Sequence, residues 1–318
     1  MTTLTVSVTM LLVCWLLAIV FYERQVQKSF SIRNFTFPSV LALYLGFWAI
    51  AENRENLASL ILVHQQFIAV IATFLTVIWV VSLITKDTSI MDIAYPLTAA
   101  VPTLWVIIDR GKWSAHEVIC IALVSLWAIR LAGHIGIRNL PHGEDARYAA
   151  WRRRHGGHWW WWSFFQVFVL QGVLISLWSL PLIIGLDAAD RSLGWPHLFA
   201  GMLFSVGFYF QAVSDYQLEQ FRKTRKNQAA ILNTGLWALS RHPNYFGEAL
   251  IWWSFGLLGL THSWGWVGLA APAYVTWFMS RGSATPMQER YLAKRKPGYD
   301  QYVATVPKFF PKLNLTRL

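Results

Sequence analysis

Two polar clusters in this chain carry residue types that bind and react. Ser214-Asp215-Tyr216-Gln217-Leu218-Glu219-Gln220-Phe221-Arg222-Lys223 closes one hydrophobic run, and Ser240-Arg241-His242-Pro243-Asn244-Tyr245-Phe246-Gly247-Glu248 opens the next. Asp215, Glu219 and Arg222 follow at helical steps. Such a face suits a ribose hydroxyl and a phosphate, and equally an intrahelical salt bridge. Pro243 suits a helix N-terminus, where its missing N–H would be unpaired anyway. Free amides at a helix start favour an anionic group, and Arg241 and His242 add donors. Asn244 and Tyr245 can bond an amide or a ring edge, and Glu248 can bond hydroxyls or fix an arginine. Capping alone would not use so many kinds of hydrogen-bonding group.

Three further sets of residues are candidates. Arg130, His134 and Arg138 are four apart, hence on one helical face. They can hold a phosphate or carboxylate, or snorkel to a membrane interface. Arg147 and Arg152 lie in a basic amphipathic stretch, 143–154, before the run Trp159 to Trp162. A short surface helix is the simpler reading, and guanidinium forks on phosphates are the other. Asp92 stands near the start of a hydrophobic run. An ionisable group at membrane depth is a functional candidate, whereas at the interface it would only cap a helix. Gln171 and Gln211, within apolar runs, need partners. The histidines are irregularly spaced, so no metal site is expected. Cys14 and Cys120 lie in apolar runs and read as free buried thiols.

The elements that must position these groups are membrane helices. The chain has 318 residues, 55% hydrophobic and 14% charged, with mean hydropathy +0.40. Soluble domains carry about a quarter charged residues. The composition predicts an all-α, polytopic transmembrane bundle and leaves no room for a large soluble domain. Nineteen tryptophans fit interfacial belts. Candidate spans fall near 5–22, 37–51, 64–85, 90–108, 116–133, 163–186, 195–213, 246–260 and 264–280. The second and eighth are short for a crossing of about 20 residues. Nine spans are expected, within a range of seven to ten. The first reads as an anchor and not a cleaved signal, because no charged region precedes it.

Charge sets the expected orientation. Segments 134–160, 215–245 and 281–318 carry five, five and eight Arg/Lys against two acids each. Basic loops stay cytoplasmic, so nine spans put all three segments and the C-terminus on that side. A bacterial inner membrane and an endoplasmic reticulum both fit. The basic face reads as a topology signal with an affinity for anionic lipid, or as an anionic-ligand site. The tail, with Glu289, Tyr291, Tyr299, Tyr302 and Phe309-Phe310-Pro311, is expected to fold back over the cytoplasmic mouth. Expected partners are the lipid bilayer and a hydrophobic small molecule, and not nucleic acid.

The two opening clusters, in order and at this separation, closely resemble the C-terminal half of steroid 5-alpha-reductases. The Arg-His-Pro-Asn-Tyr form at 241–245 resembles a less characterised branch of that superfamily. It recurs in sterol reductases and, with variation, in isoprenylcysteine carboxyl methyltransferases. The resemblance is strong over 205–311, moderate over 126–160 and weak before that. It implies a helix bundle with a nucleotide cavity on the cytoplasmic side and two regions: 1–125, facing the lipid substrate, and 126–318, with the cofactor site. It implies NADPH as cofactor and reduction of a carbon–carbon double bond in a lipid, with S-adenosylmethionine-dependent methyl transfer as the alternative. A non-catalytic lipid-binding protein that keeps the site in outline is a further reading. Asp215, Arg222, Asn244, Tyr245, Glu248 and Tyr291 fall at cofactor-site positions. A 2′-phosphate would need extra cations, which Arg147, Arg152 or Lys226 could supply. The family's glutamate–tyrosine pair for a substrate ketone has its best positional matches in Asp92 and Trp127, and a tail histidine is replaced by Met287. Paired glutamates of the methyltransferases are reduced here to Glu289 beside Gln288.

Overall fold

The computed structural model describes residues 58–312, except 112, 189–191, 226, 228 and 283. The expected spans at 5–22 and 37–51, Cys14 and Lys226 lie outside the described residues. All regular structure among the described residues is helical. In chain order the helices are α1 (Ala58–Thr85), α2 (Ile90–Ala94), α3 (Leu97–Arg110), α4 (Ala115–Asn139), α5 (Ala146–His155) and α6 (Trp159–Ser163). A π-helical segment, Phe164–Val169, leads into α7 (Leu170–Trp178) and α8 (Leu180–Leu186). Then come α9 (Trp195–Thr224), α10 (Leu236–Leu239), α11 (Pro243–Gly259), α12 (Gly265–Gly268), α13 (Ala270–Ser280), α14 (Ala284–Arg295) and α15 (Tyr299–Thr305).

Among the described residues four helical stretches are long and apolar enough to cross a membrane: Ala58–Thr85, Ala115–His142, Ala146–Trp178 and Trp195–Thr224. At about 1.5 Å per residue, the 28 residues of α1 outreach a hydrocarbon core of about 30 Å. The expected span at 90–108 is instead two helices, because Pro96 cannot continue α2 and becomes the cap of α3. The expected span at 264–280 is divided between α12 and α13. The basic stretch after α4 forms α5, whose N-cap Asp145 accepts a hydrogen bond from the Arg147 amide at 2.9 Å.

The core is shared by the parts of the chain before and after position 125, from Leu60 to Phe309. The helix that opens with the polar cluster, α11, is its centre: Ile251, Trp252, Phe255 and Leu258 are fully buried. It runs antiparallel to α9, and the two backbones touch at glycine. A Cβ on Gly247 would stand 2.5 Å from the Gly207 carbonyl oxygen and 2.6 Å from the Gln211 amide nitrogen. Only glycine permits that approach. The crossing sets the register of the polar residues: Gln211 faces Glu248, and Asp215 faces Asn244.

Beyond the crossing the chain turns at Gly235, in the left-handed region at φ 59°, and α10 leads into α11. The tail then returns as a strap. Pro307 accepts from the Arg241 amide at 2.9 Å, and Phe309 accepts from Ser240 Oγ at 2.8 Å. Lys312 donates its amide to Leu239 at 3.0 Å. Phe309 and Phe310 pack edge-on against Phe246.

Candidate functional site

The ends of α4 and α9, the 225–232 loop, the start of α11 and the tail helices enclose a cavity of about 860 Å³. Of the residues singled out in the sequence, His134, Arg138, Asp215, Arg222, Arg241, His242, Asn244, Tyr245 and Tyr291 line it. Six arginines and lysines face the cavity against one carboxylate, Asp215. That imbalance is suited to a polyanionic ligand.

Asp215 is held from two sides. Arg130 Nη2 donates to its Oδ2 at 2.8 Å, and Asn244 Nδ2 donates to its Oδ1 at 3.1 Å. His134 Nε2 lies 3.7 Å away. Arg130 therefore stands behind the cavity wall as the support of Asp215. On the opposite side Tyr245 stacks on His242, with rings 5.5 Å apart and 6° from parallel, and donates to Gln288 Oε1 at 2.8 Å. Glu289 closes this corner, 2.8 Å from Arg241 Nη2 and 3.4 Å from His242 Nε2. Burial lowers the His242 pKa, and the facing Glu289 opposes that only in part. Burial alone would raise the Glu289 carboxyl, yet His242 and the Arg241 charge hold it below the usual carboxylate range.

Glu248 lies one turn deeper in α11 and does not line the cavity. It is 4% exposed and accepts hydrogen bonds from Trp127 Nε1 at 3.0 Å, Trp252 Nε1 at 2.9 Å, Tyr95 at 3.3 Å and Gln211 Nε2. Trp127 thus meets Glu248 and not Asp92. Asp92 instead accepts from Tyr148 at 2.6 Å and pairs with Arg147 Nη2 at 2.7 Å. Arg147 also pairs with Asp145 at 2.9 Å, and Arg152 with Glu144 at 2.8 Å. Arg147 thus braces α5 against α2, and Arg152, which also donates to the Lys86 carbonyl, braces it against the turn before α2.

Sequence reasoning did not single out Tyr95, Tyr148, Trp252, Arg225 or Lys296 as site residues. Gln211 carried the one usable signal, an amide in an apolar run. Among the described residues no group of three or more His, Cys, Asp or Glu is placed to hold a metal.

The family described as protein of unknown function, DUF1295, matches residues 78–306. The chain belongs to the DUF1295 family. Every residue lining the cavity falls within the matched region of this DUF1295 chain. An uncharacterised protein of Schizosaccharomyces pombe is 26% identical over 271 residues, covering 75% of this chain and 76% of the relative. The steroid 5-alpha-reductases DET2 of Gossypium hirsutum and Arabidopsis thaliana are 32% and 30% identical over 115 residues. Those matches cover 36% of this chain and 42% of each reductase. This DUF1295 protein is therefore distantly related to steroid 5-alpha-reductases. No solved structure is a significant match.

Proposed function

We propose that this protein is a membrane-embedded reductase that uses NADPH to saturate a carbon–carbon double bond in a lipid of sterol, enoyl or isoprenoid type. The carrying observation is the cavity. Its volume of about 860 Å³ lies within the range of about 300–1,000 Å³ of small-molecule and cofactor sites. Its surplus of cations matches a ligand with several phosphates. Arg241 Nε, a buried polar atom of a lining residue, makes no hydrogen bond among the described residues, and neither do Arg130 Nη1 and Gln211 Oε1 behind the wall. Unpaired buried polar groups are costly, so the residues present fit a polar cofactor.

NADPH supplies a hydride when bound. The chain's own residues hold and orient it. Asp215, fixed by Arg130 and Asn244, accepts ribose hydroxyls. Arg138 and Arg222 face phosphates, and Tyr245 and Tyr291 line the remaining wall. Bound there, the cofactor would supply its hydride to the β-carbon of an enone or enoyl group, and a proton would be supplied at the α-carbon. We assign the polar pair for the substrate oxygen to Asp92 with Tyr148: the phenol, whose single O–H is donated to Asp92, would turn that proton to the substrate oxygen, and Asp92, paired with Arg147, positions the ring. Trp127 serves through Glu248 as a positioning residue. The cavity opens to the cytoplasm in this reading, and the helices before position 126 face the lipid substrate.

The test is consumption of NADPH by the purified protein with a panel of enone and enoyl lipids. Asp92→Asn is expected to lose turnover while keeping cofactor binding. Unchanged turnover in that variant would remove Asp92 from the mechanism, and no turnover by the wild type with any lipid would count against the reaction itself.

A further inference from the structure

A separate basic edge lies away from the cavity, at the end of α1. Lys86 follows the last residue of α1 and is exposed, with its backbone in the left-handed region at φ 55°. Among the described residues no other residue than glycine has a positive φ. Helices commonly end in glycine at this place, and a side chain there carries a cost. The turn is pinned by α5: Arg152 Nη2 donates to the Lys86 carbonyl and to Thr88 Oγ1, both at 3.1 Å. Next to Arg152, Arg153 is exposed on the side of α5 away from the buried Tyr148. Neither Lys86 nor Arg153 makes an ion pair among the described residues. The acids nearby are engaged: Asp92 and Asp145 by Arg147, Glu144 by Arg152, and Asp87 by the Ser89 amide and hydroxyl at 2.8 and 2.5 Å. Aromatic rings mark the membrane boundary just inside this edge. Trp79 precedes Lys86 by two helical turns, about 10 Å deeper, and donates its indole N–H to the Trp160 carbonyl at 3.1 Å. Trp160 is 59% exposed and Trp161 36%. Tryptophan favours the membrane–water boundary, so the edge stands at the level of the lipid headgroups.

We infer that Lys86 and Arg153, flanked by Trp160 and Trp161, form a docking edge for anionic phospholipid of the surrounding leaflet. Charge and place select that occupant: two exposed cations at headgroup depth, with rings beside them suited to the boundary between headgroups and acyl chains. A guanidinium fork and a mobile ammonium suit the oxygens of a lipid phosphate. The left-handed lysine supports this. Glycine would serve the turn at less cost, and only the ammonium would be missing. Lipid held at the edge tethers α5. That helix carries Arg147 and Tyr148, which donate to Asp92 at 2.7 and 2.6 Å. The edge thus steadies this network from the membrane side, whatever fills the cavity.

The experiment titrates short-chain phosphatidylglycerol onto the full-length protein in uncharged detergent, with short-chain phosphatidylcholine for comparison. The midpoint of thermal unfolding is followed, and the half-saturating lipid concentration is read from it. Phosphatidylglycerol should stabilise the wild type at concentrations well below those at which phosphatidylcholine acts. Lys86→Gly and Arg153→Gln should each raise the half-saturating phosphatidylglycerol concentration about fivefold, and the double variant should raise it further. Arg153→Lys should behave as wild type. Without lipid, Lys86→Gly should unfold at or above the wild-type midpoint, because the strained backbone is relieved. A lower midpoint there would make the lysine a structural residue and remove it from the edge. Lys223→Gln combined with Lys294→Gln removes two exposed charges elsewhere at the same end of the molecule and should leave the titration unchanged. Equal stabilisation of the wild type by both lipids, or an unmoved titration in Lys86→Gly with Arg153→Gln, would overturn the inference. So would an equal loss in the Lys223 and Lys294 control, which would reduce the edge to general surface charge.

Discussion

Trp127 donates its indole N–H to Glu248 at 3.0 Å, across 121 positions of sequence. Tyr95, Gln211 and Trp252 converge on the same carboxylate. Four donors on one buried acceptor tie the end of α2, α4, α9 and α11 into one polar knot directly below the cavity. In so buried a site each of these hydrogen bonds is strengthened by the low dielectric, and losing one leaves its partner costly to bury.

Glu248→Gln should therefore be costly although it is nearly isosteric. The amide NH2 would face donors that now share two oxygens, and each group left unpaired costs about 1–3 kcal/mol. Thermal unfolding in detergent is expected to shift down. Trp127→Phe, which removes a donor without adding one, should cost less than Glu248→Gln. An unchanged midpoint in Glu248→Gln would mean that the knot does not hold the helices.

The glycine crossing makes a sharper demand. Gly247→Ala places a methyl group against the backbone of Gly207 and Gln211, which cannot rotate away as a side chain can. Overpacking of this kind costs about 1–3 kcal/mol. The displacement should also pull Gln211 from Glu248 and Asn244 from Asp215, so cofactor affinity should fall together with stability. Stability and binding both at wild-type level in Gly247→Ala would contradict the close approach.

Much of this architecture was legible in the sequence. The polar clusters at 214–223 and 240–248 were expected at matching ends of adjacent helices, and the structure brings them together because helical periodicity and helix direction are local properties. A helix over 146–155 was legible for the same reason. The partners of Glu248 were not. Tyr95 and Trp252 read as ordinary aromatic residues of apolar runs, Trp127 matched a substrate-side position instead, and only packing shows that their polar atoms share one acceptor. Arg225 and Lys296 lie 71 positions apart, with no periodic relation to reveal that they face one space. The Tyr95–Pro96 break in the 90–108 run was open to reading, since proline ends helices, but hydropathy alone hid it.

Acid should loosen the tail. His242 and Glu289 both have lowered folded pKa values, from burial for His242 and from His242 and Arg241 for Glu289. A depressed pKa contributes stability above the unfolded value that is lost as pH falls through the folded value. The contribution is thus complete above the ordinary histidine value of about 6.5. It declines from there, first through His242, and is gone once Glu289 is protonated below its usual carboxylate range. Protection of the 284–305 amides against hydrogen exchange, taken relative to the intrinsic rate at each pH, should fall on acidification. Glu289→Gln should lower it already at neutral pH, by an amount that vanishes in acid. Equal protection in both proteins across the range would contradict the contact of Glu289 with Arg241 and His242.

The strap can be cut directly. Ending the chain after Thr305 removes the carbonyls of Pro307 and Phe309 that hold the Arg241 amide and Ser240. It also removes the rings packed on Phe246. The start of α11 should lose its anchorage, and nucleotide affinity should drop about tenfold or more, as expected for loss of one charge-assisted contact at Arg241 or His242. Affinity at the wild-type level would show that the tail is dispensable for the cavity.

The most direct test of the central claim is the thermal stability of the detergent-purified protein with NADPH, NADH, S-adenosylmethionine or no addition. A ligand present at 100 times its Kd stabilises the native state by about 2.7 kcal/mol, which is readily visible as a shift. The account predicts a clear upward shift with NADPH, a smaller one with NADH, and loss of the NADPH shift in Arg222→Ala. A shift with S-adenosylmethionine alone, or with none of the three, would contradict it.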